Sequence, residues 1–203
     1  MISTPKYLSA KIKVGEKMIK VAIIGAENVG KSTLMNALIG GKVSEVSETP
    51  GTTKTTIKRY FGKVKIPKTM KNPYGGADEI ILIDTAGLFD PEKEVRGKVL
   101  SEEKFKELIE EIVKADVIIH MIDATKGLHR GMEKLHYMLK FRYEKPIIVV
   151  INKIDLVPRE RIEKLKEIVK KRLEQEPILM SLVTYEGFNE LLKALAYYSQ
   201  YAK

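Results

Sequence analysis

Val21-Ala22-Ile23-Ile24-Gly25-Ala26-Glu27-Asn28-Val29-Gly30-Lys31-Ser32-Thr33-Leu34 reads as a short apolar run, a loop with glycine at both ends, and the opening of a helix. Four apolar residues stopped by a glycine suit a strand buried on both faces. Gly25 to Ser32 has the spacing G-x-x-x-x-G-K-S, and terminal glycines let such a loop curl with its N–H groups pointing inward. The helix that follows adds the positive end of its dipole, so the stretch is built to hold phosphate. An ordinary glycine-rich turn could share the composition, but it would not need a strand before it and a helix after it.

Working outward, the runs Ile80 to Ile83, Val117 to Ile122 and Ile147 to Ile151 repeat the pattern, each followed by polar or glycine-containing turn residues. Between them lie stretches of helical periodicity: Ser32 to Ile39, Val99 to Lys114, Gly131 to Phe141, Arg159 to Leu173 and Gly187 to Tyr198. This alternation predicts an α/β fold, a doubly wound, mostly parallel sheet with helices on both faces. Thr55 to Ile66 is of mixed character and is expected as an antiparallel edge strand, with Gly62 as the site of a bulge. Pro67 to Asp78, with two prolines and paired glycines, is expected as an exposed connection. At 203 residues one domain is expected, residues 20–203, behind an N-terminal extension of residues 1–19.

Two further segments add chemistry at strand ends, where open parallel sheets bind their ligands. Asp84-Thr85-Ala86-Gly87 follows the second run. Asp84 can hold magnesium through water, and Gly87 can offer its N–H to a γ-phosphate. Asn152-Lys153-Ile154-Asp155 follows the fourth run. The Asp155 carboxylate can accept from guanine N1–H and its exocyclic amine, where adenine would present an acceptor, so guanine is the expected base. The Lys153 stem can lie over the purine, and Asn152 can tie this loop to the phosphate loop. Lys31 is expected to bridge the β- and γ-phosphates and Ser32 to ligate magnesium. The loop residues Ala26, Glu27, Asn28 and Val29, with Thr33 behind Ser32, complete the expected phosphate contacts.

The ordered set GAENVGKS, PGTTK, DTAGL, NKID and Ser181 resembles the translation-factor-related GTPases, and within them the group of Era, EngA and MnmE. The resemblance covers about Lys20 to Ala202. It implies a GTP-hydrolysing switch in which Lys31, Thr53 and Gly87 serve catalysis and Ser32, Thr53 and Asp84 hold magnesium. The family's switch threonine falls on Thr52-Thr53, the second being the expected ligand. Its last signature, Ser-Ala, is represented by Ser181-Leu182, a departure that bears on the base contact of that loop. Leu88 stands where Ras-like proteins carry a water-orienting glutamine, which implies slow basal hydrolysis. Asn28 occupies the position that binds potassium in several such proteins; a residue favoured in tight turns is the alternative reading.

The formal net charge is +9, and the stretch from Lys54 to Lys71 holds seven basic residues and no acidic one. A basic strand beside a nucleotide-sensitive loop would couple affinity for RNA phosphates to the bound nucleotide, so RNA or a ribosomal particle is the expected partner. A solvated edge guarded by lysines has the same composition. The alternative is a regulator that acts through a protein partner or a homodimer, without nucleic acid. No apolar run approaches the roughly 18 residues of a membrane span, no secretory core is visible in residues 1–20, and there is no cysteine. A soluble, cytoplasmic protein is expected. His120, His129 and His136 share no metal-ligand spacing and are assigned no chemistry.

Overall fold

The computed structural model describes residues 18–39, 44–46, 57–66, 76–85 and 102–199. Among these residues seven strands form one sheet: β1 (Met18–Gly25), β2 (Ser44–Val46), β3 (Ile57–Ile66), β4 (Gly76–Thr85), β5 (Val117–Asp123), β6 (Ile147–Asn152) and β7 (Ile178–Leu179), in the spatial order β2-β3-β4-β1-β5-β6-β7. β4, β1, β5, β6 and β7 run parallel, whereas β3 is antiparallel to β4 and β2 to β3. The helices are α1 (Lys31–Ile39), α2 (Glu102–Val113), α3 (Arg130–Tyr137), α4 (Arg159–Leu173) and α5 (Phe188–Ser199). From β1 the chain first builds one side of the sheet and then, with β5, crosses to the other. The crevice at the carboxyl end of β1 is therefore the topological switch point.

Alternation along the central strands puts the core on both sides of the sheet. Ile19, Val21 and Ile23 of β1 pack with Leu34 and Leu38 of α1 and Leu191 and Leu195 of α5. Ala22 and Ile24 face the opposite way, toward Ile112 of α2, Leu135 of α3 and Val169 of α4. β5 and β6 are buried at every position, as the unbroken Val/Ile runs require.

Four expectations are corrected. β3 is not the edge, because β2 pairs along its outer side; a three-residue strand leaves too little periodicity to be legible. Gly62 makes no bulge: the β3–β4 register runs without a slip from Ile57↔Thr85 through Gly62↔Ile80 to Ile66↔Gly76. The expected connection over residues 67–78 is shortened, since β4 begins at Gly76. Met18 and Ile19, placed in the extension, belong to β1.

The histidines do have structural work. His129 caps α3, its Nδ1 accepting from the Gly131 N–H at 3.2 Å. His120 on β5 and His136 on α3 are both fully buried, with their Nδ1 atoms 3.2 Å apart. Among the described residues neither Nε2 has a hydrogen-bond partner of regular geometry. Burial pushes His120 down to about 3, with the charge of His136 adding to it. Burial also lowers His136 to about 4, helped by the Lys140 charge and opposed by the Leu173 carbonyl. Both must be neutral in the folded state, so the unfolded chain, titrating near 6.5, takes up more protons as pH falls. Stability should hold above about pH 6.5 and fall toward pH 4, by up to roughly tenfold in the folding constant per pH unit for each histidine. Urea midpoints measured across this range should show that slope, and replacing the pair as H120L/H136L should flatten it.

Candidate functional site

Three loops meet at the carboxyl ends of β1, β6 and β7. The first leaves β1 at Gly25, where a side chain would stand 2.7 Å from the Met121 carbonyl of β5, so only glycine lets the strands close. The loop then turns through Asn28 and Gly30, both left-handed, at φ 61° and 101°. A Cβ on Gly30 would lie 2.7 Å from Asn152 Nδ2. α1 starts at once, with Leu34 N–H on the Gly30 carbonyl at 2.9 Å. Lys31 is 7% exposed, and its ammonium donates to the carbonyls of Gly25 at 3.0 Å and Ala26 at 2.9 Å. The flexible ammonium is thus held in the bowl of the loop, while Ser32 and Thr33 are exposed on the first turn of α1.

Asn152 ends β6 and is buried. Its Nδ2 donates to the Val29 carbonyl at 2.9 Å, and its Oδ1 accepts from the Leu182 N–H at 3.3 Å. One side chain therefore fastens all three loops. Lys153, left-handed at φ 66°, donates to the Asn28 carbonyl at 2.6 Å and to Asp123 Oδ2 at 2.7 Å. Asp155 stands exposed in the 3-10 turn Ile154–Leu156. Ser181 is buried, and its Oγ accepts from the N–H groups of Val183 and Thr184 at 3.2 and 3.1 Å. Its hydroxyl shapes the turn, and Leu182 contributes its backbone N–H. Leu156, next to Asp155, and Val183 and Tyr185, just past Leu182, are exposed apolar residues on the same two loops.

Asp84 lies on β4 in register with Ile23, two residues before the end of β1. Thr52, Thr53, Gly87 and Leu88 lie outside the described residues. The basic run is described only where it forms β3, which holds Lys58, Arg59, Lys63 and Lys65. A cleft of about 260 Å³ also borders Ala26, Glu27 and Asn28, but its other walls are β5 and the loop into α3, and neither Lys31 nor Asp155 lines it.

Asp123 was missed in the sequence. It stands one residue past the third apolar run, the same place that Asp84 and Asn152 hold after theirs, and that equivalence was the available signal. Its buried carboxylate accepts from Thr125 N–H at 2.8 Å, Thr125 Oγ1 at 2.6 Å and Lys153 at 2.7 Å. Burial alone would raise its pKa, but the Lys153 and Thr125 hydrogen bonds and the lysine charge outweigh this and hold it below the usual carboxylate value.

Residues 20–153 match the family described as 50S ribosome-binding GTPase. The chain belongs to it. An uncharacterized protein of Methanocaldococcus jannaschii is 45% identical over 183 residues, covering 90% of this chain and 97% of its own. GTPase Der of a Sulfurihydrogenibium species is 37% identical over 88% of this chain and 38% of its own length. A crystal structure of Era with MgGDPNP and nucleotides 1506–1542 of 16S ribosomal RNA superimposes with a TM-score of 0.63 at 33% identity, over 90% of this chain and 57% of that one. This chain therefore spans about two fifths of Der and somewhat over half of Era. It is an α/β GTPase domain of the Era, EngA (Der) and MnmE kind, binding and hydrolysing GTP. Among the described residues no helix is long and apolar enough to cross a membrane.

Asp123→Asn should loosen Lys153 from the phosphate loop and weaken GDP binding by roughly tenfold, the scale of one charge-assisted hydrogen bond. Fluorescent-GDP titration checks this, and D123N/K153M should lose little more than K153M alone, because the two side chains act as one device.

Proposed function

We propose that this GTPase domain is a slow, nucleotide-dependent switch acting in the cytoplasm on RNA or a ribosomal particle. The observation that carries the reading is the Asn152 and Lys153 clamp, which joins the loop bearing Asp155 to the loop bearing Lys31. A guanine read by Asp155 and phosphates cradled from Gly25 to Ser32 would then be bound by one rigid unit, with Val183 and Leu182 against the base. Ser32, Asp84 and Thr53 are the oxygen donors expected to hold magnesium. Magnesium keeps several waters when bound to phosphate, so Ser32 and Thr53 would ligate it directly and Asp84 through water. Magnesium would screen the β- and γ-phosphate charge, while Lys31 and the Gly87 N–H stabilise charge on the γ-phosphoryl oxygens.

The basic run supports an RNA partner. Its central residues lie on β3, beyond the parallel strands and on the side of the sheet next to β4, the strand that ends in Asp84-Thr85. The family description and the neighbour holding 16S ribosomal RNA favour the same client. In co-sedimentation, ribosomal subunits should retain the protein with a non-hydrolysable GTP analogue more than with GDP. Replacing Lys58, Lys63 and Lys65 together by glutamine should weaken retention at least tenfold. Equal retention in both nucleotide states would end the switch reading.

Leu88 favours a second reading, in which a partner protein or a homodimer completes the catalytic site. Asn28 supplies a third contributor: its positive φ is one that asparagine tolerates, and its side chain is exposed beside the loop. With potassium there, single-turnover hydrolysis should be faster in potassium than in sodium at equal ionic strength, and Asn28→Ala should erase that preference while leaving GDP affinity intact. Equal rates in the two salts would leave Asn28 as a turn residue.

A further inference from the structure

Tyr137-Met138-Leu139-Lys140-Phe141-Arg142-Tyr143 interleaves aromatic and basic residues around one buried anchor, Leu139. Here α3 does not simply stop. It widens into a single π-turn, Met138–Arg142, a rare form that recurs at functional sites. The turn leaves Phe141 58% exposed with its ring stacked on Tyr137, centroids 5.6 Å apart and planes 16° from parallel. Lys140 Nζ stands 5.2 Å from the Phe141 centroid and the Arg142 guanidinium 5.7 Å from that of Tyr143.

Lone exposed apolar residues are ordinary, but this one is held in place. The Tyr137 hydroxyl donates to the Arg172 carbonyl, and Lys140 Nζ donates to the carbonyls of Leu173 at 2.9 Å and Glu174 at 3.2 Å. Those bonds seat the turn on the end of α4, so the ring face is presented without further ordering. The turn and its flanks are net basic: residues 134–145 hold Lys134, Lys140, Arg142 and Lys145 against Glu144, and the end of α4 beneath them adds Glu174 beside Arg172, which pairs with Glu133. Arg142 is exposed, with its guanidinium over the Tyr143 ring.

A flat π-surface flanked by cations matches an unpaired base with its phosphate, since any base can stack and the cations meet the backbone. A protein face would also cover Phe141, but would gain less from cations set around its ring. We propose that the Tyr137–Phe141 stack, with Lys140 and Arg142 beside it, is a stacking platform for single-stranded RNA. The inference rests on the RNA reading of the domain and gives it a surface. α3 runs from the carboxyl end of β5 to the amino end of β6, so the platform lies at the opposite edge of the sheet from the clamp, and RNA there would not compete with nucleotide.

The test uses the full chain and a fluorescein-labelled single-stranded RNA of about ten nucleotides, a length suited to one such surface. Phe141→Leu, which keeps an apolar side chain and removes the π-face, should weaken binding about tenfold with GTP hydrolysis and thermal midpoint unchanged. Arg142→Gln should reduce the salt slope of binding by about one. The chain has no tryptophan, so Phe141→Trp supplies a single reporter that should retain affinity and be quenched by RNA. RNA affinity unaltered in Phe141→Leu, together with an unquenched tryptophan, would overturn the platform and leave the RNA reading standing. Loss of ribosomal-subunit binding in Phe141→Leu with RNA affinity unchanged would make this a protein face and also overturn it. No binding of the RNA by the unmodified protein at low salt would remove the platform and the RNA reading together.

Discussion

The Asn152 side chain reaches from the end of β6 to the Val29 carbonyl and the Leu182 N–H, and the arrangement of the site follows from that crossing. A buried amide must find partners, and leaving its donor or acceptor unmet costs about 1–3 kcal/mol. Meeting both fixes the distance between three loops that are remote in sequence. It also dictates glycine at position 30, where a Cβ would strike the amide. Lys153 completes the link by spanning Asn28 and Asp123, and this offsets the cost of two non-glycine residues held left-handed. The side chains are short or doubly bonded, so the loops are positioned before any ligand arrives.

Such a clamp works only on a stiff base. The parallel strands β1, β5 and β6 are buried on both faces, and helices cover them from both sides, so strand ends move little relative to one another. The His120–His136 pair is the polar flaw in this packing. It leaves two ring nitrogens without regular hydrogen bonds at the joint between β5 and α3, which is tolerable only while both rings are neutral.

The two edges of the sheet differ in kind. At the carboxyl edge the Lys31 and Lys153 ammonium groups and the Asn152 amide bond to the carbonyls of the loop after β1 and hold it against the loop after β6. At the amino edge the π-turn after α3 presents a ring stack among cations. α3 and the π-turn that continues it span the distance between them, from the His129 cap beside the phosphate-loop cleft to Phe141. One helix thus touches both regions.

Most of the parallel sheet was legible because strands buried on both faces must be continuously apolar, and Val21 to Ile24, Val117 to Ile122 and Ile147 to Ile151 are. The loops proposed to hold phosphate and base stand out for a related reason: glycine, lysine, asparagine and aspartate stand at fixed short spacings after those runs, and short spacing is a property of sequence. β2 and β7, three and two residues long, owe their existence to neighbours with which they pair, so no local pattern announces them. Gly62 lies in an unbroken ladder because register is set across strands, not along one. Asp123 and the histidine pair depend on partners 30 and 16 residues away, Lys153 and His136. The sequence by itself determined which glycine, lysine, asparagine and aspartate residues stand at the strand ends. Only the tertiary structure decided which of them touch, because hydrogen bonds between loops are made by the approach of strand ends that only the folded sheet brings together.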